Sequence, residues 1–205
     1  MSDQSHFWSN TADKYSRKPV PNQEVYEKKL KLTQELLNSE MKILEIGCGT
    51  GTTALIHAPL VSQIIATDFS KKMIQIAKHK AVTQNISNIE FKEESVQEMS
   101  YSKNEFDVIM AHSILHLVEN KEEVLAKIYH YLKPGGYFIS STGCVGGVLK
   151  LFKPIWYIGY KLGKLPFINF FTKEDFVKDV TNSGLKIEAR WDPTKVDIFL
   201  IGVKP

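Results

Sequence analysis

Three glycines at every second position, Gly47, Gly49 and Gly51, follow a short apolar run at 42–46 and open a helix at Thr52. A strand that turns through glycines directly into a helix is the first half of a βαβ unit, so this junction constrains the fold more than any other feature. Glycine lets the backbone turn sharply and lets a ligand approach where a side chain would block it. The amino end of the helix then offers free N–H groups and the positive end of its dipole to an anion. Glu45 stands two positions before the first glycine, at the strand tip. Asp68 closes the next β-branched run, where a carboxylate can accept hydrogen bonds from the vicinal hydroxyls of a ribose.

The spacing separates two ligand classes. A dinucleotide fingerprint needs its third glycine where this chain has Thr52. A carboxylate at Glu45 also suits an ammonium-bearing ligand better than a pyrophosphate. A redox nucleotide enzyme, and a tight turn that holds no ligand, remain the alternatives.

The rest of the chain continues the alternation. Strand-like runs at 63–67, 89–92, 106–111 and 137–141 are interleaved with helical patterns at 52–58, 71–84 and 121–132, and a further helix is expected at 23–37. That order argues an α/β three-layer sandwich with a parallel sheet covered on both faces. The tail differs: a helix near 173–182, then runs at 185–191 and 196–203 around Asp192-Pro193, read as an antiparallel hairpin added at the sheet edge. At 205 residues, with 43% hydrophobic and 24% charged residues, one globular domain is expected. Within it, 1–40 forms an N-terminal lid and helix, 41–142 the cofactor core, 145–171 a substrate cap, and 172–205 the C-terminal helix and hairpin.

A net charge of +3 is too small to make nucleic acid the expected partner. Cys48 and Cys144 are the only cysteines, so neither a disulfide framework nor a multi-cysteine zinc site is expected. With no signal-like N-terminus and no long apolar stretch, the expected location is the cytoplasm.

With Glu45, the three glycines and Asp68 present together, residues 7–137 resemble class I S-adenosylmethionine-dependent methyltransferases. The similarity is to small bacterial members related to the ubiquinone and menaquinone biosynthesis group. The resemblance implies a Rossmann-like fold, a mostly parallel seven-stranded sheet with one antiparallel strand. It also implies S-adenosylmethionine as cofactor and S-adenosylhomocysteine as product. Carried onto this chain, Gly47, Gly49 and Gly51 would line the methionine portion, with Cys48 a small packing residue among them. Glu45 would lie near the ammonium, Asp68 would hold the ribose hydroxyls and Phe69 would flank the adenine. Ser95, followed by Val96, stands where the family often has an acidic residue facing the adenine amino group. The Ala111 carbonyl would meet the ammonium, and Tyr15, in the opening segment 7–16, would close over the cofactor.

A sulfonium methyl is already electrophilic, so alignment of the acceptor is the main task. A base is needed only for an acceptor that arrives protonated. His112 and His116, four apart if that segment turns helical, are the candidates. His57 and His79 read as surface residues of helices, and no carboxylate or cysteine completes a metal set.

Between residues 124 and 173 there is no Asp or Glu, and 145–171 is rich in aromatics and lysine. Three readings fit this insert: a lid with lysines in water, a peripheral membrane contact with Trp156 and Tyr157 at headgroup level, or a nucleic-acid contact. The expected function is methyl transfer to a small, apolar or aromatic acceptor, and a lipid or quinone from a membrane surface suits the interfacial reading. The alternative is a non-catalytic S-adenosylmethionine-binding module acting through its insert.

Overall fold

The structure, a computed structural model, describes residues 3–205, and their side chains except those of 3–6, 148 and 149. Two helices, α1 (Asp3–Arg17) and α2 (Gln23–Gln34), precede the sheet. Then β1 (Lys42–Ile46), α3 (Thr52–His57), β2 (Gln63–Asp68), α4 (Lys71–Thr83) and β3 (Ile89–Glu93) come in alternation. β4 (Phe106–His112), α5 (Lys121–Tyr131) and β5 (Leu132–Gly143) complete the parallel part. α6 (Lys153–Lys161), α7 (Lys173–Asn182), β6 (Lys186–Trp191) and β7 (Asp197–Val203) finish the chain.

The seven strands lie in the order β3-β2-β1-β4-β5-β7-β6, with β7 antiparallel to both neighbours. The final hairpin is present as expected; its second strand adjoins β5, and β6 is the edge. Because β1 sits between β2 and β4, the strand order reverses there, and a crevice opens beyond the carboxyl ends. The register aligns those ends: Ile46 pairs with Thr67 on one side and Ala111 on the other.

Strands buried on both faces read as continuous apolar runs, and β1, β2 and β4 do. Leu44, Ile109 and Phe138 pack against Leu125 and Ile128 of α5 and Phe176 of α7. On the other face Ile43, Val108 and Ile139 meet Ala54 and Leu55 of α3, Ile74 of α4 and Leu32 of α2. Caps fix the helix starts: Asn22 accepts from Val25 N–H, Ser70 accepts from Met73 N–H, and Thr172 and Asp175 form a capping box.

Two boundaries differ from the sequence reading. α2 stops at Gln34, where 3-10-type bonds from Leu36 to Thr33 and Leu37 to Gln34 tighten the chain. β5 begins at Leu132, not at the expected 137, so Lys133-Pro134-Gly135-Gly136 falls within the strand. Its register with β4 shifts there, and Gly135 and Gly136 exchange backbone bonds with Lys204 instead.

Candidate functional site

The turn between β1 and α3 holds all three glycines in the left-handed region, with φ of 65°, 54° and 72° at Gly47, Gly49 and Gly51. A Cβ at Gly47 would fall 2.7 Å from Ile114, and one at Gly51 would fall 2.7 Å from the Phe91 ring. Both positions therefore exclude side chains on backbone and packing grounds together. At Gly49 the nearest atom to such a Cβ is Tyr15 Cε1, at 3.7 Å, so Tyr15 of α1 stands over the turn.

Asp68 ties the end of β2 to this turn. Its Oδ2 accepts from Gly49 N–H at 2.9 Å and its Oδ1 from Ser70 N–H at 2.8 Å. Burial pushes the carboxyl up while those two N–H bonds pull it back, leaving it above its ordinary value. Glu45 is 2% exposed, and burial pushes its carboxyl up to about 8. Its Oε2 has no hydrogen-bond partner among the described residues, an unusual state for a buried carboxylate. Burial and then the charges of Asp68 and Glu45 raise the Tyr15 phenol. Cys48 is buried, and desolvation first, then Glu45 and Asp68, hold its thiol well above the ordinary range, so it is not a nucleophile at neutral pH.

A cavity of about 590 Å³ opens beside the turn, lined by Gly47, Asp68, Phe69, Ser95 and Val96 and by Tyr160 from α6. Five of these were singled out from sequence; Tyr160 was not. Glu45, Cys48, Gly49, Gly51, Ala111 and Tyr15 do not line it. Ala111 is buried in β4, and its carbonyl accepts from Ser140 Oγ at 3.2 Å. Ser95 Oγ donates to Gln97 Oε1 at 2.5 Å, and Glu94 accepts from the Tyr101 hydroxyl at 2.6 Å.

The histidines are arranged differently from the sequence reading. His112 ends β4, Ser113 has φ of 56°, and His116 lies in a 3-10 turn, Leu115–Leu117. The left-handed residue between them breaks any helical register, so they do not share a helix face. Neither lines the cavity. Burial, then the charges of His57 and Lys29, hold the His112 imidazole down to about 3; burial holds His116 down to about 4. Both are neutral at physiological pH.

His57 is a correction. It is fully buried, not on the surface, and neither ring nitrogen has a partner among the described residues. It lies three residues after the core residue Ala54, a helical spacing that signals a shared face. Lys29 of α2, also missed, donates to Ser141 Oγ at 2.6 Å, and Ser141 is paired in register with His112. No group of three or more His, Cys, Asp or Glu among the described residues could hold a metal, and no helix among them is long and apolar enough to cross a membrane.

A family profile described as a methyltransferase domain matches residues 37–189. The chain is 30% identical over 193 residues to a malonyl-[acyl-carrier protein] O-methyltransferase of Priestia megaterium, covering 84% of this chain and 68% of the relative. It is 25% identical to a ubiquinone biosynthesis O-methyltransferase of Acinetobacter baumannii, covering 72% of this chain and 64% of the relative. The first curated relatives it matches are covered over only 40% and 38% of their own length. The crystal structure of a putative methyltransferase from Bacillus halodurans superposes with a TM-score of 0.74 at 15% identity, covering 87% of this chain and 99% of that one.

Proposed function

The chain belongs to the methyltransferase-domain family, and on that premise we propose that it moves a methyl group from S-adenosylmethionine to a small, apolar or aromatic acceptor. The observation that carries this reading is the cavity beside the left-handed glycine turn, with Asp68, Phe69, Ser95 and Val96 on its wall. The residues present suit the cofactor chemically. At Gly47 a Cβ would strike Ile114, which lines the same cavity, so only bare backbone fits on that wall. The unpartnered Glu45 Oε2 supplies a buried acceptor of the kind an ammonium would satisfy.

In this reading Gly47, Gly49 and Gly51 hold the amino-acid portion, with Cys48 packing between them and the Ala111 carbonyl beside the ammonium. Asp68 holds the ribose hydroxyls, and Phe69, Ser95 and Val96 hold the adenine. Tyr15 covers the turn and shuts out water. When bound, the sulfonium supplies the electrophilic methyl. The chain supplies position, which for oriented reactants is worth effective molarities on the order of 10⁵–10⁸ M. His112 and His116 stand outside the cavity wall, and burial holds both imidazoles neutral; with such low proton affinity they are weak bases, which favours an acceptor that is already acidic.

Isothermal titration calorimetry tests the cofactor half: S-adenosylmethionine and S-adenosylhomocysteine give binding heat, and NAD gives none. Absence of heat with both sulfur nucleosides would overturn the proposal. Release of S-adenosylhomocysteine across a panel of phenols, carboxylic acids and quinols then sorts the acceptor.

A further inference from the structure

Helix α6 has a bare apolar stripe. Ile155, Ile158 and Leu162, at positions i, i+3 and i+7, are 70%, 60% and 64% exposed, and Leu151 in the preceding turn, Gly147–Phe152, is 76% exposed. Soluble surfaces carry such residues singly; a row of four large aliphatic side chains along a helix, its C-cap and the turn before it marks an interaction face. None of α6 is buried, and the one element it packs on substantially is the turn before it.

The charges around the stripe have one sign. Lysines are the only charged residues in this segment, Lys150, Lys153, Lys161 and Lys164, and no acidic residue occurs between 124 and 173. Lys150, in the turn before the helix, approaches Asp175 at 4.0 Å. Lys161 lies 5.5 Å from the ring centre of Tyr157, which is itself 53% exposed. The Trp156 indole N–H donates inward to the Pro166 carbonyl at 2.9 Å. An exposed aliphatic stripe on a segment whose only charges are lysines matches the surface of an anionic bilayer, whose hydrocarbon boundary takes the stripe and whose headgroups take the lysines. A protein partner of ordinary composition offers no such uniform negative field.

The opposite side of the same helix carries Tyr160, which lines the cavity. We propose that α6 and the turn before it lie in the surface of an anionic membrane, and that this places the cavity mouth at the headgroups so that the acceptor is drawn from the lipid phase. The acceptor clause rests on the methyl-transfer reading; the membrane contact does not.

Flotation with vesicles decides it. The full chain rises with phosphatidylglycerol-containing vesicles and stays down with pure phosphatidylcholine. Ile155→Ser with Ile158→Ser lowers the bound fraction at least tenfold, and Lys153→Glu with Lys164→Glu lowers it as well, by about fivefold for each lysine charge lost. All four positions are solvent-facing, so the variants fold, and their S-adenosylhomocysteine heat equals that of the parent. No flotation with either vesicle overturns the proposal, as does flotation that the isoleucine variant retains. A dimer by light scattering that this variant dissolves, without flotation, overturns it in favour of self-association. Flotation without any nucleoside heat keeps the anchor and removes the methyl-transfer reading instead.

Discussion

Replacing Asp68 by Asn changes one charge at almost constant volume, and the hydrogen bonds around the carboxylate fix the consequence. Ser70 is fully buried and caps α4, so the amide oxygen stays on the Ser70 N–H and the amide nitrogen turns to Gly49. There it meets another donor across what was a 2.9 Å bond. One charge-assisted bond is lost, about 1.5–3 kcal/mol, and the Ser70 bond falls to neutral strength, so the fold loses roughly 2–4 kcal/mol. Cofactor affinity falls by the ribose contact and by the slackened turn, about 1.5–3 kcal/mol, or roughly 10- to 150-fold in Kd. Ser70→Ala is the control. It removes the hydroxyl that accepts from Met73 N–H, costing about 1 kcal/mol of stability, while leaving the Asp68 bonds in place. Urea unfolding gives the stabilities, and calorimetry with S-adenosylhomocysteine, at a temperature where all three proteins are folded, gives the affinities. A folded Asp68→Asn protein with the parental Kd refutes the reasoning. Equal weakening in Ser70→Ala would assign the effect to stability alone.

Two further outcomes are expected. Glu45, with a carboxyl near 8 against an ordinary 4.5, binds more proton folded than unfolded between those pH values, so its contribution to stability is full below about 4.5 and lost as pH rises through about 8. An ammonium beside it drives the proton off, so cofactor binding releases a proton near pH 7 and tightens as pH rises towards 8; calorimetry in two buffers of different ionisation enthalpy shows this, and Glu45→Gln must abolish it. His57, held down to about 4 from 6.5 by burial, binds fewer protons folded than unfolded in that window, and stability falls as pH drops through it. His57→Leu therefore gains about 1 kcal/mol at pH 7.5 by removing an unpaired buried ring, roughly 2–4 °C in Tm, and about 2 kcal/mol more at pH 5. A lower Tm than the parent at both pH values refutes that account.

The residues of the cavity wall were legible because their signals are local. A left-handed turn demands glycine whatever surrounds it; Asp68 ends β2, and Phe69, Ser95 and Val96 follow strand ends that apolar runs mark plainly. Long-range placement was not legible. Nothing in residues 112–116 announces that Ser113 adopts a positive φ, so the two histidines look like one helical pair. Lys29 reaches Ser141 only because α2 folds over that face of the sheet. Tyr160 enters the cavity because of where α6 comes to rest, which no periodicity in the insert encodes. The hairpin pattern at 185–203 is equally silent on which of its strands would lie inside.

The inner position of β7 sets a timetable for synthesis. The last strand in chain order, it is flanked by β5 and β6. While the nascent chain is still emerging from the ribosome, β5 shows an unpaired rim and β6 has no neighbour to join, until residues 197–203 clear the exit tunnel. Translation thus delivers a five-stranded half-product whose open side must be shielded from other chains, and one late insertion closes it.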